Sequence, residues 1–317
     1  MNLGKFYELV IRFGKEQDLR GKNFLEKESQ KLRAEFGKLK KEDKKYFDLE
    51  SLKNPFADSR LLFGDKKTEI KKVMVGIDIE VSELLLADRL KLLGERIDLV
   101  MSHHPQGIAL AGLPEVMHLQ ANLLAKQGIP YEVAKTFMDR RIKEVGRRVS
   151  SANHFRVVDA ARILGIPFLC AHTAADNFVC RYLQELMDKR KPKTLGDVLK
   201  ILLQISEYKE AAKNKNGPKI LIGDAKKKAG KIFVDMTGGT EGSKEVFGRL
   251  SQAGIDTIIG MHLSEEHFAR IKDEHINVII AGHIASDSVG LNLLLDKLQK
   301  SGRFEVMGCS GFKRVKR

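Results

Sequence analysis

Four histidine-bearing segments carry most of the chemistry this sequence offers: SHHP at 102–105, AHTAAD at 171–176, MHLSEEH at 261–267 and AGHIASD at 281–287. Each follows a short apolar run, and in open parallel sheets ligands bind beyond the C-terminal ends of strands. His103 and His104 are adjacent. Neighbouring residues of an extended chain point to opposite sides, which suits two neighbouring metal ions better than one; the alternative is a helix start ahead of Pro105. Asp176 follows a strand as the chain turns into a helix, so it is either a ligand or a helix cap. His172 is a ligand or a group behind one, and Asp78 closes an earlier run, VMVGID, at the same edge. His283 and Asp287 share a face if a helix starts at the histidine, and the alternative there is a capped turn. Together these residues favour a metal site of His103, His104, Asp176, His283 and Asp287, with His172 and Asp78 behind it. Imidazole with carboxylate suits two divalent ions of the Zn, Fe, Mn or Co type rather than Ca or Mg. Two ions about 3.5–4 Å apart lower the pKa of shared water from about 15.7 towards about 7, which makes a nucleophile at neutral pH. Glu265, Glu266 and His262 are the candidate proton carriers.

MTGGTEGSKEVF reads as strand, glycine-rich turn and helix. Gly238 and Gly239 are therefore candidate anion-binding residues through backbone N–H groups, although two glycines also suit a plain tight turn. The segment lacks the Lys–Ser/Thr ending of a P-loop. Arg140, Arg141, Arg147 and Arg148 fall in a predicted helix and read more readily as a solvated basic face than as phosphate ligands.

The elements that must position these groups alternate. Apolar runs at 73–78, 97–104, 167–173, 231–239, 256–262 and 277–283 read as buried strands, separated by helical patterns such as Val81–Leu93 and Ser243–Ala253. This predicts an α/β protein of two lobes with largely parallel sheets and the site in the cleft between them. Residues 1–72 read as a basic helical N-terminal extension, with Leu3, Phe6, Tyr7, Val10 and Phe13 on one stripe and Leu25, Leu32, Phe36 and Leu39 on another. The first lobe is placed at 73–190 and the second at 191–317, divided where DKRKPKT and KEAAKNKNGPK suggest exposed connections around a helix capped by Thr194 and Asp197. No internal repeat is evident.

The composition bounds the rest. Of 317 residues, 43% are hydrophobic and 31% charged, which supports a packed core; with 7% aromatics and no Trp, that core is aliphatic. No run is long enough for a membrane span and no signal peptide is recognisable, so a cytoplasmic protein with no membrane partner is expected. Cys170, Cys180 and Cys309 are too few and scattered for a disulfide framework. The net charge of +14 fits an anionic small molecule, nucleic acid or a lysine-rich surface alike; no stacking aromatics lie among the lysines, which leaves nucleic acid weakly supported.

SHHP, AHTAAD, TGG before a helix, MHLSEEH and AGHIASD occur here in the order that resembles the NGG-one-interacting factor three (NIF-three-like) family, often called GTP cyclohydrolase 1 type 2 homologues. The resemblance spans roughly residues 73–317. It implies two facing α/β lobes, a dinuclear metal site and a ring-like homo-oligomer, typically a hexamer. The family's paired histidines fall on His103 and His104, the Asp of its HTNLD-like motif on Asp176, and the His and acidic ligand of its GHxxTE-like motif on His283 and Asp287. The chain departs from the family pattern at Asp287, where Glu is usual, at HTAAD, and at His262, where many members are acidic. Its 104–172 segment is also longer than in short members, a candidate lid or oligomer contact. The expected function is a metal-dependent hydrolase of a phosphate-bearing or otherwise anionic small molecule. The alternatives are a non-catalytic metal carrier or sensor that uses the same ligands, and an interaction factor built around a structural metal core.

Overall fold

Short apolar strands buried on both faces need helices on each side, and the chain builds two such sheets. The computed structural model describes residues 1–317. The strands are β1 (Ser59–Phe63), β2 (Lys72–Gly76), β3 (Leu99–Ser102), β4 (Phe168–Ala171), β5 (Lys219–Ile222), β6 (Ile232–Asp235), β7 (Thr257–Gly260), β8 (Asn277–Ile280) and β9 (Glu305–Cys309). One sheet has the order β1-β4-β3-β2-β9 and the other β5-β8-β7-β6. Both are parallel except for their first strand, which runs antiparallel at one edge.

The helices form three layers around these sheets. In chain order they are α1 (Leu3–Gln17), α2 (Lys22–Lys38), α3 (Lys41–Lys44), α4 (Val81–Leu92), α5 (Gly107–Ala111), α6 (Leu113–Val116), α7 (His118–Lys126), α8 (Tyr131–Ser150), α9 (Arg156–Ile163), α10 (Thr173–Arg190), α11 (Leu195–Leu202), α12 (Ser206–Lys213), α13 (Phe247–Gln252), α14 (Glu265–Asp273) and α15 (His283–Ser301). None is long and apolar enough to cross a membrane. Strand side chains alternate between faces, so Met74, Val100 and Phe168 meet α4 and α9 on the outside of the first sheet. Val73, Val75, Leu99, Met101 and Leu169 turn inward to α1, α10 and α15. Val234, Ile259 and Ile279 of the second sheet cover the same pair α10 and α15 from the other side. Phe233, Ile258, Val278 and Ile280 face outward to α7, α8, α13 and α14. The α10–α15 pair is therefore the shared middle layer. Leu291, Leu294, Leu295 and Leu298 are fully buried there, and truncating any one of them to Ala costs about 2–5 kcal/mol.

The two halves repeat one plan, which the sequence alone did not reveal. Each begins with an antiparallel edge strand bulged at the same place, between Leu61 and Phe63 and between Ile220 and Ile222. A turn follows in which Asp65 accepts from the Lys67 N–H, or Asp224 from the Lys226 N–H. Asp98 and Asp256, at the foot of the third strand, each accept from the backbone where the second strand begins. The final strand leads into the long helix α10 or α15. Few side chains are identical between the halves; α9 before β4 answers α14 before β8, and the segment carrying α5 to α8 is inserted into the first alone.

The expected segment boundaries cut across this arrangement. β1 lies within residues 1–72 yet is an edge strand of the first sheet, and β9 lies within 191–317 yet pairs with β2. The stripe on α1 is buried in the main core. On α2 only Leu25 is buried, while Phe36 packs on Phe47 with ring centroids 4.7 Å apart. The helices expected as a lid or oligomer contact roof the second sheet, and Arg141 there donates through Nε to the Glu241 carbonyl.

Candidate metal centre

The site forms because α10 and α15 start directly after β4 and β8 and pack against each other. A Cβ on Gly290 would stand 2.5 Å from the Ala175 carbonyl oxygen, so only glycine lets the helices approach this closely. Asp176 and Asp287 are brought together as a result. Asp176 sits in the first turn of α10, where the positive end of the helix favours a carboxylate.

Histidines from both halves gather around these acids. Ring centroids lie 5.3 Å apart for His103–His104, 4.9 Å for His103–His172, 5.1 Å for His104–His283 and 4.8 Å for His262–His283. Most have Nδ1 tied down from behind. His103 Nδ1 lies 3.0 Å from the Ala171 carbonyl, His104 Nδ1 2.6 Å from Asp78, His172 Nδ1 2.8 Å from Asp58 and His262 Nδ1 3.4 Å from Glu241. For the first three, Nε2 is then directed inward towards the carboxylates. Such fixing of the outer nitrogen is how metal-binding imidazoles are oriented.

The inward atoms converge on Asp287. Its Oδ1 lies 3.4 Å from His103 Nε2; its Oδ2 lies 3.5 Å from His104 Nε2 and 3.6 Å from His283 Nε2. Asp176 Oδ1 is 3.3 Å from His103 Nε2, and its Oδ2 3.9 Å from His172 Nε2. Three sets of residues have ligand atoms within 4.8 Å of one another: His103, Asp176 and Asp287; His104, His283 and Asp287; and His103, His104 and His172. His103 Nε2 and both oxygens of Asp287 are buried without a hydrogen-bond partner. With Nδ1–H donating to a carbonyl, His103 presents a lone pair to two carboxylate oxygens. Acceptors facing acceptors in a buried site require a cation between them, either the proton of a His103 imidazolium or a metal ion, and the donor set fits transition-metal ions. Although it is one methylene shorter than Glu, Asp287 still stands between both sets of histidines.

The electrostatics follow the same geometry. Burial opposes charge on His103, yet Asp287 and Asp176 outweigh it and hold the imidazolium well above its ordinary pKa. Burial also opposes charge on Asp287, but His103, His104 and His283 hold its carboxyl far below the usual range. His283 is lowered, chiefly by burial and by neighbouring histidines, against the pull of Asp287.

A cavity of about 320 Å³ opens from the cluster into the second half, lined by His104, His262, His283, Asp176 and Asp287 at one end. Asp235 and Glu241 line it too, and sequence reasoning missed both, as it missed Asp58 behind His172. Asp58 and Glu241 precede or follow their elements with no motif to mark them; Asp235 ends an apolar strand, the one signal that was available. Glu265 and Glu266 open α14 and do not line this cavity; Glu266 pairs with Lys244 instead. Of the proposed proton carriers, only His262 is brought in. Gly238 and Gly239 adopt φ of 96° and 91° and let α6 and α7 come close: Gln120 Nε2 donates to the Gly238 and Thr240 carbonyls at 2.7 Å each. A Cβ on Gly238 would meet Gln120 at 2.8 Å. The pair serves this packing contact rather than an open anion cradle.

An α/β protein with paired sheets and a buried His/Asp centre at the joined starts of two helices is thus defined. Among solved structures the chain resembles a NIF3 superfamily protein from Sphaerobacter thermophilus, 31% identical, with TM-score 0.70, covering 80% of this chain and 91% of that one. The chain belongs to the NIF3 superfamily. It is also similar to reduced HcgD from Methanocaldococcus jannaschii (15% identity, TM-score 0.48, covering 78% and 87% of the two chains) and to TTHA1606 from Thermus thermophilus (16%, 0.46, 80% and 89%). No family profile and no curated protein matches it.

Proposed function

We propose that the chain is a dinuclear metal-dependent hydrolase. The carrying observation is the Asp287 carboxylate, unpartnered at both oxygens and standing between two sets of histidines at the end of a cavity. His103, Asp176 and Asp287 would hold one ion of the Zn, Fe, Mn or Co class, and His104, His283 and Asp287 the other. Such ions supply Lewis acidity and water of lowered pKa. The chain's own residues do the rest. Asp78 fixes the His104 ring, and Asp58 fixes His172. His262 holds a proton readily, because its contact with Glu241 raises its pKa against burial, and its ring lies beside His283 at the cavity edge. This makes His262, backed by Glu241, the proton carrier at the reacting end.

The test is metal content by mass spectrometry together with turnover of an ester, amide and phosphoester panel by untagged protein, compared with His104→Ala and Asp176→Ala. Metal and turnover fall together if the reading is right; full loading in both variants overturns it. A carrier reading draws on one observation: the set of His104, His283 and Asp287 is less buried than the other, with the His283 side chain 38% exposed. Metal transfer to an apo-acceptor without turnover would favour it. Exposed Leu85, Leu86, Leu92 and Leu93 on and after α4, with Ile163 ending α9, support assembly into a homo-oligomer, which light scattering reads directly. Three free cysteines, two of them buried, suit the reducing cytoplasm.

A further inference from the structure

Two strand faces that the repeated plan makes equivalent are packed differently. Met74 and Val100 on the outer face of the first sheet expose 0% of their surface, while their counterparts Phe233 and Ile258 on the second keep 4% and 5%. Both of the latter line the cavity. Close-packed interiors leave few voids larger than a water molecule, so a hollow of about 320 Å³ against a strand face marks room kept for a guest.

The lining divides by polarity along its length. At one end His104, Asp176, His283 and Asp287 present atoms able to hold an ion or a ligand. Elsewhere the polar side chains are already bonded to the protein. Gln120 Nε2 donates to the Gly238 and Thr240 carbonyls, and Thr237 Oγ1 donates to Asn177 Oδ1 at 2.8 Å. Ser243 Oγ accepts from the Glu245 N–H. His267 lies 2.7 Å from Ser264 Oγ through Nδ1 and 3.0 Å from the Gly242 carbonyl through Nε2. Asp235 is solvent-exposed and calls for no partner. No lysine or arginine lines the cavity. What meets a guest beneath α7 and α8 is mainly carbon, from Leu123, Leu124, Met138, Phe233, Val246 and Phe247.

Size narrows the guest further. An engineered apolar cavity of roughly 150 Å³ holds the six carbons of benzene. On that scale about 320 Å³ holds about twelve non-hydrogen atoms. We propose that the cavity takes the apolar acyl chain of an ester or amide, with roughly eight carbons under α7 and α8 and the acyl carbonyl, its one polar group, turned towards His104, His283 and Asp287. This names the substrate class of the hydrolase read above and rests on that reading. Cleavage adds water: the acyl–oxygen or acyl–nitrogen bond breaks, the water oxygen stays on the acyl carbon as the acid, and a water proton goes to the leaving alcohol or amine. The second lobe thereby sets chain length, with Val246, Phe233 and Phe247 as the residues that measure it.

Calorimetry on the metal-loaded protein at pH 7.5 tests this with straight-chain hydroxamic acids of two to sixteen carbons, whose heads bind metal and whose tails differ only in length. Affinity should rise about threefold for each added methylene up to roughly eight to ten carbons and then level off. A flat series overturns the proposal, and so does a rise that continues to sixteen carbons, which the cavity has no room to hold. Val246→Trp, which carries a larger side chain into the hollow, should flatten the series beyond four carbons while metal content stays at the wild-type value. An unchanged slope in that variant is also an overturning result, and the wild-type slope and its limit stand even if the variant misfolds. 4-Phenylbutan-1-ol has no metal-binding head and reads the cavity in metal-free protein, where it should bind about tenfold or more tightly than butan-1-ol; equal binding overturns the proposal. Failure of the hydrolase reading shows separately, as no turnover of any ester or amide, or as metal content indifferent to His104→Ala, with the preference for phenylbutanol intact.

Discussion

Gly76 and Asp235 occupy equivalent positions in the two halves, each ending the second strand of the repeated plan, opposite Ser102 and Gly260 respectively. Around Gly76 there is no room: a Cβ would stand 2.6 Å from Ile79 Cδ1 and 3.2 Å from Cys309 Sγ. β9 pairs with β2 on that side, and α4 and α9 pack the outer face. β6 has no such neighbour and is a free edge. Its outer face is roofed by helices borrowed from the other half, and the cavity lies under that roof. The same backbone frame thus yields a filled lobe and a hollow one. What differs is which segment covers each sheet. The metal-ligand geometry is likewise only half symmetric. By strand register and helix start, His172 and Asp176 correspond to Gly282 and Ser286, one residue ahead of His283 and Asp287; His104 with Asp78 plays the part of His262 with Glu241, but His103 is answered by Met261.

The largest effect should come from breaking the symmetry of the two acids. Asp287→Asn removes a ligand from both sets and should take metal content from two ions per chain to near none, whereas Asp176→Asn should lose only the ion held with His103. Equal loss in the two variants would show that Asp287 does not bridge. Next is the joint between the halves. Gly290→Val drives a side chain into the Ala175 carbonyl and should destabilise by about 3 kcal/mol, read from denaturant midpoints; a midpoint within error of wild type would mean the helices can separate. The filled and hollow lobes are compared by a matched pair. Gly76→Ala should cost about 1–3 kcal/mol, while Asp235→Ala should leave stability unchanged or raise it, since no protein contact is lost.

The smallest effect is in pH dependence, where Asp235 and Glu241 have opposite signs. The Glu241 carboxyl is opposed by burial but held down to about 2 by His262, His267 and the Ser264 N–H, below its ordinary 4.5. Its stabilisation is present above about pH 4.5 and is lost as pH falls through about 2. Asp235, raised from 3.8 to about 6, favours the folded state only while protonated, so its contribution is lost as pH rises from 3.8 through about 6. Asp235→Asn should therefore raise the thermal midpoint at pH 7.5 more than at pH 4, and Glu241→Gln should lower it at pH 7.5 more than at pH 3. Parallel curves for wild type and either variant would remove that residue from the account.

Much of this was legible in the residues. Six strand runs, the helix capped by Thr194 and Asp197, and the gathering of His103, His104, Asp176, His283 and Asp287 follow from apolar runs that end in polar, ligand-type side chains. β1, β5 and β9 were not legible. Each is an edge strand, partly exposed and mixed with basic or polar residues, so its pattern lacks the doubly buried signature. Asp58 and Glu241 were also invisible, because a residue that orients a histidine from another element leaves no mark at a fixed spacing. The repeat was hidden because backbone register, not side-chain identity, carries it.

The order of residues dictated the α/β alternation and the ligand types, since burial on both faces and the succession of polar strand ends are local properties of the chain. It took the assembled fold to make α10 and α15 shared between the sheets, to close one lobe with β9, and to leave a cavity under α7 and α8 over the other. Those outcomes depend on which surfaces meet across more than a hundred residues of chain, and side-chain pattern specifies that a face must be buried without specifying what buries it.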